Sequence, residues 1–262
     1  MNHSFQFIRW AEEGHISILT IDRPEKLNAI DEQVMDELEQ SFQELEDDRN
    51  IRVVIVTGGG GKAFVAGGDI EAMRRLTPLG GEKFVRRGQN LLSRIENSDK
   101  IVIAAINGYA LGGGTELALA CDIRIAAESV QMGLPEVSIG LFPGWGGTQR
   151  LVRLVGKGLA KELIFTGERI GARRALEIGL VNRVVGGDEL LPTCRELAGK
   201  IIANSPIAVV QAKKAINQGS EMTLEQGLKY EAEAWVVNLG TKDRTEGLTA
   251  YLEKRKPYFQ DQ

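Results

Sequence analysis

Histidine and cysteine are scarce in this chain, at two each, and the scarcity removes several kinds of chemistry at once. His3 and His15 both lie near the N-terminus, so a Ser-His-Asp or Cys-His apparatus would have to be assembled from there. There is no G-x-S-x-G elbow to present a nucleophilic serine. Neither an H-E-x-x-H pair nor a clustered Cys/His set is present, which argues against zinc and leaves no metal expected. A phosphate-cradling G-x-x-x-x-G-K loop followed by Ser or Thr is also missing. Cys121 and Cys194 are far apart and belong to no paired framework, so each reads as a small core residue in a reducing compartment. No apolar run approaches the ~20 residues of a membrane span, and Met1 to Trp10 lacks the charged-then-apolar order of a signal peptide. A cytoplasmic protein is expected. The net charge of −4 comes from well-mixed acids and bases, which gives no reason to expect nucleic acid or a membrane as a partner.

What the chain does have is length, apolar content and glycine. Its 262 residues, 43% hydrophobic, can bury a substantial core. One stretch organises the rest, running from Ile103 through Asn107, Gly112-Gly113-Gly114 and Thr115-Glu116 to Asp122. The apolar run before the glycines reads as a buried strand and the run after Thr115 as a helix of about two turns. Glycines at such a corner let a ligand lie against the backbone, and the first N–H groups of the helix have no partner within it. Glu116 would sit in the first helical turn, a candidate base beside a candidate oxyanion site, or merely a complement to the helix dipole.

The same logic appears earlier. Val53-Val54-Ile55-Val56 is a β-branched run of the kind covered on both faces in a parallel sheet. It is followed by Gly58 to Gly61 and then by Lys62-Ala63-Phe64-Val65-Ala66-Gly67-Gly68-Asp69-Ile70-Glu71. Two such corners could each offer one backbone N–H to a single ligand atom. Gly58-x-Gly60-x-x-Ala63 loosely fits a dinucleotide fingerprint, but the glycines run on into Phe64 and Val65 and no acidic residue follows at the required distance.

Upstream, Ile16 to Ile21 is β-rich and ends in Asp22-Arg23-Pro24-Glu25-Lys26, a turn with two cations that read as solvated or as usable by a phosphate. Asp31 is a plausible N-cap for an amphipathic helix carrying Val34, Leu38, Phe42 and Leu45. Downstream, Glu136 is one carboxylate in an otherwise apolar, Gly- and Pro-punctuated run from Met132 to Thr148. Burial would raise its pKa and suit it to donate a proton, while a first-turn helix glutamate after Pro135 is the plainer alternative. Helices are predicted at Thr148 to Val155, Lys157 to Phe165 and Ala172 to Ile178, with a strand at Val181 to Val185. From about Asp188 the pattern is helical, broken at Ser205-Pro206, Gly219 and Gly240. Strands alternating with helices and then a helical tail predict an α/β core, residues 1–205, with a helical appendage, residues 206–262.

With His, Cys and metal removed, carboxylates and backbone amides remain as catalytic material. They suit proton transfer beside a carbonyl whose oxygen gains charge, an enolate-type reaction.

The ordered set of motifs closely resembles the crotonase superfamily, in its enoyl-CoA hydratase branch. The set comprises Asp22-Arg23-Pro24 with Leu27-Asn28-Ala29, Lys62 to Ile70, Ile103 to Asp122, Pro135-Glu136, Pro143-Gly144-Trp145-Gly146-Gly147-Thr148-Gln149-Arg150 and Glu253-Lys254-Arg255-Lys256. The resemblance implies a repeated ββα spiral core and a C-terminal helical region that makes trimers, often paired into hexamers. It implies an acyl-CoA thioester as substrate, hydrated as in fatty acid β-oxidation, and no cofactor beyond the CoA that arrives with it. Carried over by position, the N–H groups of Gly68 and Gly113 would hold the thioester oxygen, Glu116 would deprotonate water and Glu136 would protonate C2. Arg23, Lys26, Leu27, Ala66, Asp69 and Ile70 would line the CoA portion, Trp145 the acyl pocket, and Trp235 and Lys254 would come from a neighbouring subunit. Gly68 and Trp145 depart from residues common there, alanine and a small side chain. An enoyl-CoA isomerase is the alternative on the same fold; an RNA-binding relative is disfavoured by the lysine-poor segment Ile70 to Arg75.

Overall fold

The computed structural model describes residues 5–260, so His3 lies outside the described residues. The chain divides into two compact units, Met1–Arg195 and Glu196–Gln262.

The first unit is built on two sheets. Its elements run β1 (Ile8–Glu13), β2 (Ile16–Ile21), α1 (Glu32–Asp47), β3 (Val53–Gly58), β4 (Ala63–Val65), α2 (Ile70–Met73), α3 (Pro78–Asn97), β5 (Ile101–Ile106), β6 (Tyr109–Leu111), α4 (Gly113–Ala120), β7 (Ile123–Ala127), β8 (Gln131–Gly133), a 3-10 turn (Pro135–Ile139), α5 (Gly147–Val155), α6 (Lys157–Thr166), β9 (Ile170–Gly171), α7 (Ala172–Glu177) and β10 (Arg183–Val185). Six strands form one sheet in the order β1-β2-β3-β5-β7-β10, and four form another in the order β4-β6-β8-β9. In the larger sheet every pairing from β2 onward is parallel and only β1 pairs antiparallel.

Each repeat sends one strand to each sheet. β3 and β4, β5 and β6, β7 and β8 all start in the larger sheet, turn, and continue in the smaller one before a helical segment. This is the ββα repeat that the family resemblance implies. The first strands of two repeats, β3 and β5, are the apolar runs singled out above, and every residue of both is buried, as a parallel strand covered on both faces requires. The second strands are three residues long and too short to carry a periodic signal, so the smaller sheet was not legible. The Val181 to Val185 strand shortens to β10 because Leu180 and Val181 N–H groups bond back to Ala175.

The helices follow local chemistry. The Asp31 carboxylate accepts from Val34 N at 2.9 Å and starts α1, whose Val34, Leu38, Phe42 and Leu45 are buried on one face. Thr77 caps α3, with Pro78 at its first position.

The chain enters the second unit within α8 (Leu190–Ile202), N-terminal to the Ser205-Pro206 break, and continues as α9 (Pro206–Gly219), α10 (Leu224–Leu239) and α11 (Lys242–Leu252). Thr223 and Gln226 form a reciprocal capping box at α10. Leu224, Leu228, Trp235, Val236, Leu248, Tyr251 and Leu252 of this unit are all exposed. Among the described residues no helix is long and apolar enough to cross a membrane, and no group of three or more His, Cys, Asp or Glu side chains is arranged to hold a metal ion.

Candidate active site

The three-glycine corner between β6 and α4 is shaped by close approaches. Gly112 has φ +52° and ψ −122°, and a Cβ there would lie 2.8 Å from Glu136 Oε1. A Cβ on Gly114 would lie 1.9 Å from the Val65 carbonyl oxygen, so only glycine lets α4 pack on β4. Gly113 opens α4, and its N–H therefore has no intrahelical acceptor.

The other corner sits against this one. The ideal Cβ position of Gly67 is 4.0 Å from Gly113 N, and that of Gly112 is 3.8 Å from Gly67 Cα. The Gly67-Gly68 corner is laced to the segment after Arg23: Ala66 N donates to Leu27 O, Ile30 N to Gly67 O and Asp69 N to Ile30 O. Among the described residues, the N–H groups of Gly68 and Gly113 have no hydrogen-bond acceptor. Two adjacent donors are thus left for an oxygen that develops charge.

Two carboxylates border these donors. Glu116, on the first turn of α4, is 2% exposed, and its Oε1 accepts from both Trp145 N and Gly147 N at 2.7 Å. Burial pushes its pKa up to about 7; the Glu136 carboxylate adds to the rise, while the two N–H donors and the Arg150 guanidinium oppose it. Glu136 follows Pro135 in the 3-10 turn, and its buried Oε2 has no protein partner. Desolvation raises its pKa too. The first-turn geometry allowed for Glu136 is therefore correct, and it coincides with an orphaned buried oxygen rather than a solvated one. A buried polar atom without a partner is what a bound group would satisfy.

Trp145 is nearly buried and joins this cluster through its backbone N–H and its ring. The ideal Cβ of Gly113 would come 2.5 Å from its indole, and that of Gly88 on α3 2.4 Å, so the ring lies against both backbones; Phe84 packs on it at 5.3 Å. The Gly68 Cβ position, by contrast, makes only ordinary contacts, with Met73 Sδ at 3.4 Å and Phe84 Cζ at 3.6 Å.

The loop residues separate into two groups. Arg23 is neither solvated nor open to a phosphate. Its guanidinium is only 11% exposed and binds Asp31 and Asp69 at 3.1 Å and the Ala29 carbonyl at 3.0 Å. Burial would raise the Asp69 pKa, but the N–H groups of Ala72 and Glu71 and the Arg23 guanidinium outweigh it and hold the carboxylate below its usual range. Lys26 pairs with Glu71 at 2.9 Å and is half-exposed, Leu27 and Ile70 are exposed, and Ala66 is half-buried. Trp235 on α10 and Lys254, after α11, are exposed residues of the second unit.

Sequence reasoning placed Asn28 in a motif but gave it no role of its own; it is fully buried at φ +59° with its Nδ2 donating to Gly59 O and Ala63 O. Sequence reasoning also gave no role to Arg150, which donates to the Trp145 carbonyl at 3.0 Å.

Comparison with known proteins gives one consistent answer. Residues 11–262 match the family model described as enoyl-CoA hydratase/isomerase. The chain is 47% identical over 245 residues to a short-chain-enoyl-CoA hydratase of Clostridium acetobutylicum, covering 94% of each protein. It is 43% identical over 256 residues to a crotonyl-CoA hydratase of Syntrophomonas wolfei, covering 98% of each. Its structure is similar to that of an enoyl-CoA hydratase from Bacillus anthracis, with TM-score 0.95 and 43% identity, covering 98% of this chain and 100% of that one.

Proposed function

The chain belongs to the enoyl-CoA hydratase/isomerase family, and from that premise we propose that it adds water across trans-2-enoyl-CoA thioesters to give 3-hydroxyacyl-CoA. The observation that carries this reading is the convergence of two carboxylates on one pair of unpartnered backbone N–H groups. The Gly68 and Gly113 N–H groups hold the thioester oxygen as it gains enolate charge. Glu116, with Oε1 fixed by two N–H donors, takes a proton from water through its other oxygen while the water oxygen bonds to C3. Glu136 gives its proton to C2. After one turnover Glu116 is protonated and Glu136 is ionised, and proton exchange resets the pair. The active form therefore holds one proton between the two groups, and its limits belong to the pair.

CoA runs along the 23–30 loop, where Lys26 and Leu27 are accessible, and past Ala66 and Ile70. Arg23 and Asp69 act by holding that loop rather than by touching CoA. No cofactor beyond the substrate's CoA is required. The indole of Trp145, wedged between Gly88 and Gly113, favours short acyl chains. The exposed apolar residues of α10 and α11 are the oligomerisation surface of a trimer or hexamer, in which Trp235 and Lys254 complete a neighbour's pocket. Two buried cysteines that form no disulfide among the described residues are in keeping with a reducing, cytoplasmic setting. Retention of both carboxylates favours hydration over isomerisation, which needs one.

Incubation of the purified protein with crotonoyl-CoA tests the proposal. Loss of the conjugated-thioester absorbance with formation of 3-hydroxybutyryl-CoA is expected; an unchanged spectrum at high enzyme concentration would reject it.

A further inference from the structure

Glu116 is placed by a turn that is itself held from outside the site. The Trp145 and Gly147 N–H groups that bind its Oε1 belong to the 145–147 turn that leads into α5, which Gly147 opens. The side chain of Arg150, one turn into α5, reaches back over that turn. Its Nη1 donates to the Trp145 carbonyl at 3.0 Å, and its Nε and Nη2 donate to Glu96 Oε2 on α3 at 3.1 and 2.8 Å. Nη2 also meets Ser93 Oγ at 3.3 Å, and the backbone N of Arg150 donates to Gly146 O at 2.8 Å. The guanidinium lies so close that a Cβ on Gly146, at φ +113°, would come 2.3 Å from Nη1. Arg150 is only 13% exposed on its side chain.

We propose that Arg150, anchored on Glu96, is a positioning residue that fixes the 145–147 turn and thereby the orientation of the catalytic Glu116. The proposal rests on the hydratase reading of Glu116. A rigid fork is needed because the planar guanidinium spans one carbonyl and one carboxylate simultaneously, which an ammonium cannot do in the same geometry. If the fork is lost, the turn relaxes, the two N–H donors drift from Oε1, and the ionised form of Glu116 loses both its donors and a nearby cation. All three changes raise its pKa.

Of the charged groups that act most strongly on Glu116, Arg150 favours its ionised form. Glu136, from the 3-10 turn, opposes ionisation. On α3, Arg87 is engaged with Asp36 and Glu39 of α1, Arg94 with Glu46, and Glu96 with Arg150 itself. β4 and β6, which pack on α4, carry the buried apolar residues Ala63, Phe64, Val65, Ala110 and Leu111.

The test combines kinetics with direct titration. In Arg150→Gln, kcat for crotonoyl-CoA should fall at least ~10-fold with KM changed less than threefold, and the acid limb of the pH profile should move upward by half a pH unit or more. Arg150→Lys, which keeps the charge without the fork, should recover part of the limb position but not kcat. Titration of Glu116 by carbon-13 NMR of side-chain-labelled protein should show the same upward move in Arg150→Gln, whether or not the substrate is the right one. Wild-type protein inactive on crotonoyl-CoA would reject the hydratase reading and leave this titration as the measure of the strut. A folded Arg150→Gln protein whose Glu116 titrates as in wild type overturns the proposal, as does Arg150→Lys with full kcat. If Arg150→Gln fails to fold, Glu96→Gln takes its place: it loosens the anchor while leaving the Arg150 charge, so the proposal requires a lowered kcat and an unchanged rate overturns it.

Discussion

Replacing Glu116 by Gln should make the protein more stable and nearly inactive, with both effects set by pH. In the fold, burial raises the Glu116 pKa from 4.5 to about 7 despite two N–H donors on one oxygen. At about 1.4 kcal/mol per pH unit, keeping this carboxylate ionised in place costs on the order of 3 kcal/mol. The sign follows from a folded pKa above the unfolded one. The native state retains the proton between about pH 4.5 and 7, so the group's stabilisation is complete at lower pH and is lost as pH rises through 7. A neutral amide still accepts from Trp145 N and Gly147 N but never ionises. Urea unfolding of both proteins at fixed concentration, from pH 4 to pH 9, should therefore show the Gln variant gaining up to ~3 kcal/mol on the wild type across that range. Hydration of crotonoyl-CoA should meanwhile drop by at least ~10²-fold. Stability curves that run parallel with pH would refute the claim that Glu116 is held ionised against its surroundings.

Four further outcomes follow from the same geometry. Glu136→Gln, which removes the proton offered to C2, should lower the hydration rate by at least ~10²-fold without abolishing binding of the saturated product analogue butyryl-CoA, measured by calorimetry. Gly68→Ala meets only ordinary contacts with Met73 and Phe84, so thermal unfolding should show stabilisation by ~0.4–1 kcal/mol with hydration retained within a few-fold. Gly114→Ala would drive a Cβ to 1.9 Å from the Val65 carbonyl oxygen and should destabilise by ~1–3 kcal/mol or more in urea unfolding. Across enoyl-CoAs of increasing length, kcat/KM should fall from the four-carbon substrate onward, and Trp145→Ala should flatten that series; an unchanged slope would remove the indole from chain-length control.

The sequence disclosed this protein unevenly, for reasons that particular residues make plain. The long apolar runs of β3 and β5 and the capped amphipathic α1 were legible because burial on both faces, or on one helical face, leaves a local pattern. The three-residue strands β4, β6 and β8 leave none, and the smaller sheet emerged only in three dimensions. Glu116 and Glu136 stood out as carboxylates in apolar surroundings, but the orphaned Oε2 and the shared Oε1 depend on chain segments far apart in sequence. Arg23 misled for the same reason. A turn with two cations reads as solvated until Asp31 and Asp69 are seen closing on the guanidinium.

Asn28 carries a consequence for anyone who would redesign recognition in this protein. Its buried amide bridges the carbonyls of Gly59 and Ala63, and the Arg23 N–H bonds to its Oδ1, while the residues on either side are stitched to Ala66, Gly67 and Asp69. The segment we propose to meet the CoA handle of the substrate is thus clamped onto the glycine corner proposed to hold the thioester oxygen, and the two form one mechanical part. Grafting a foreign handle-binding loop here would also shift the Gly68 amide, so changed preference would arrive together with damaged turnover.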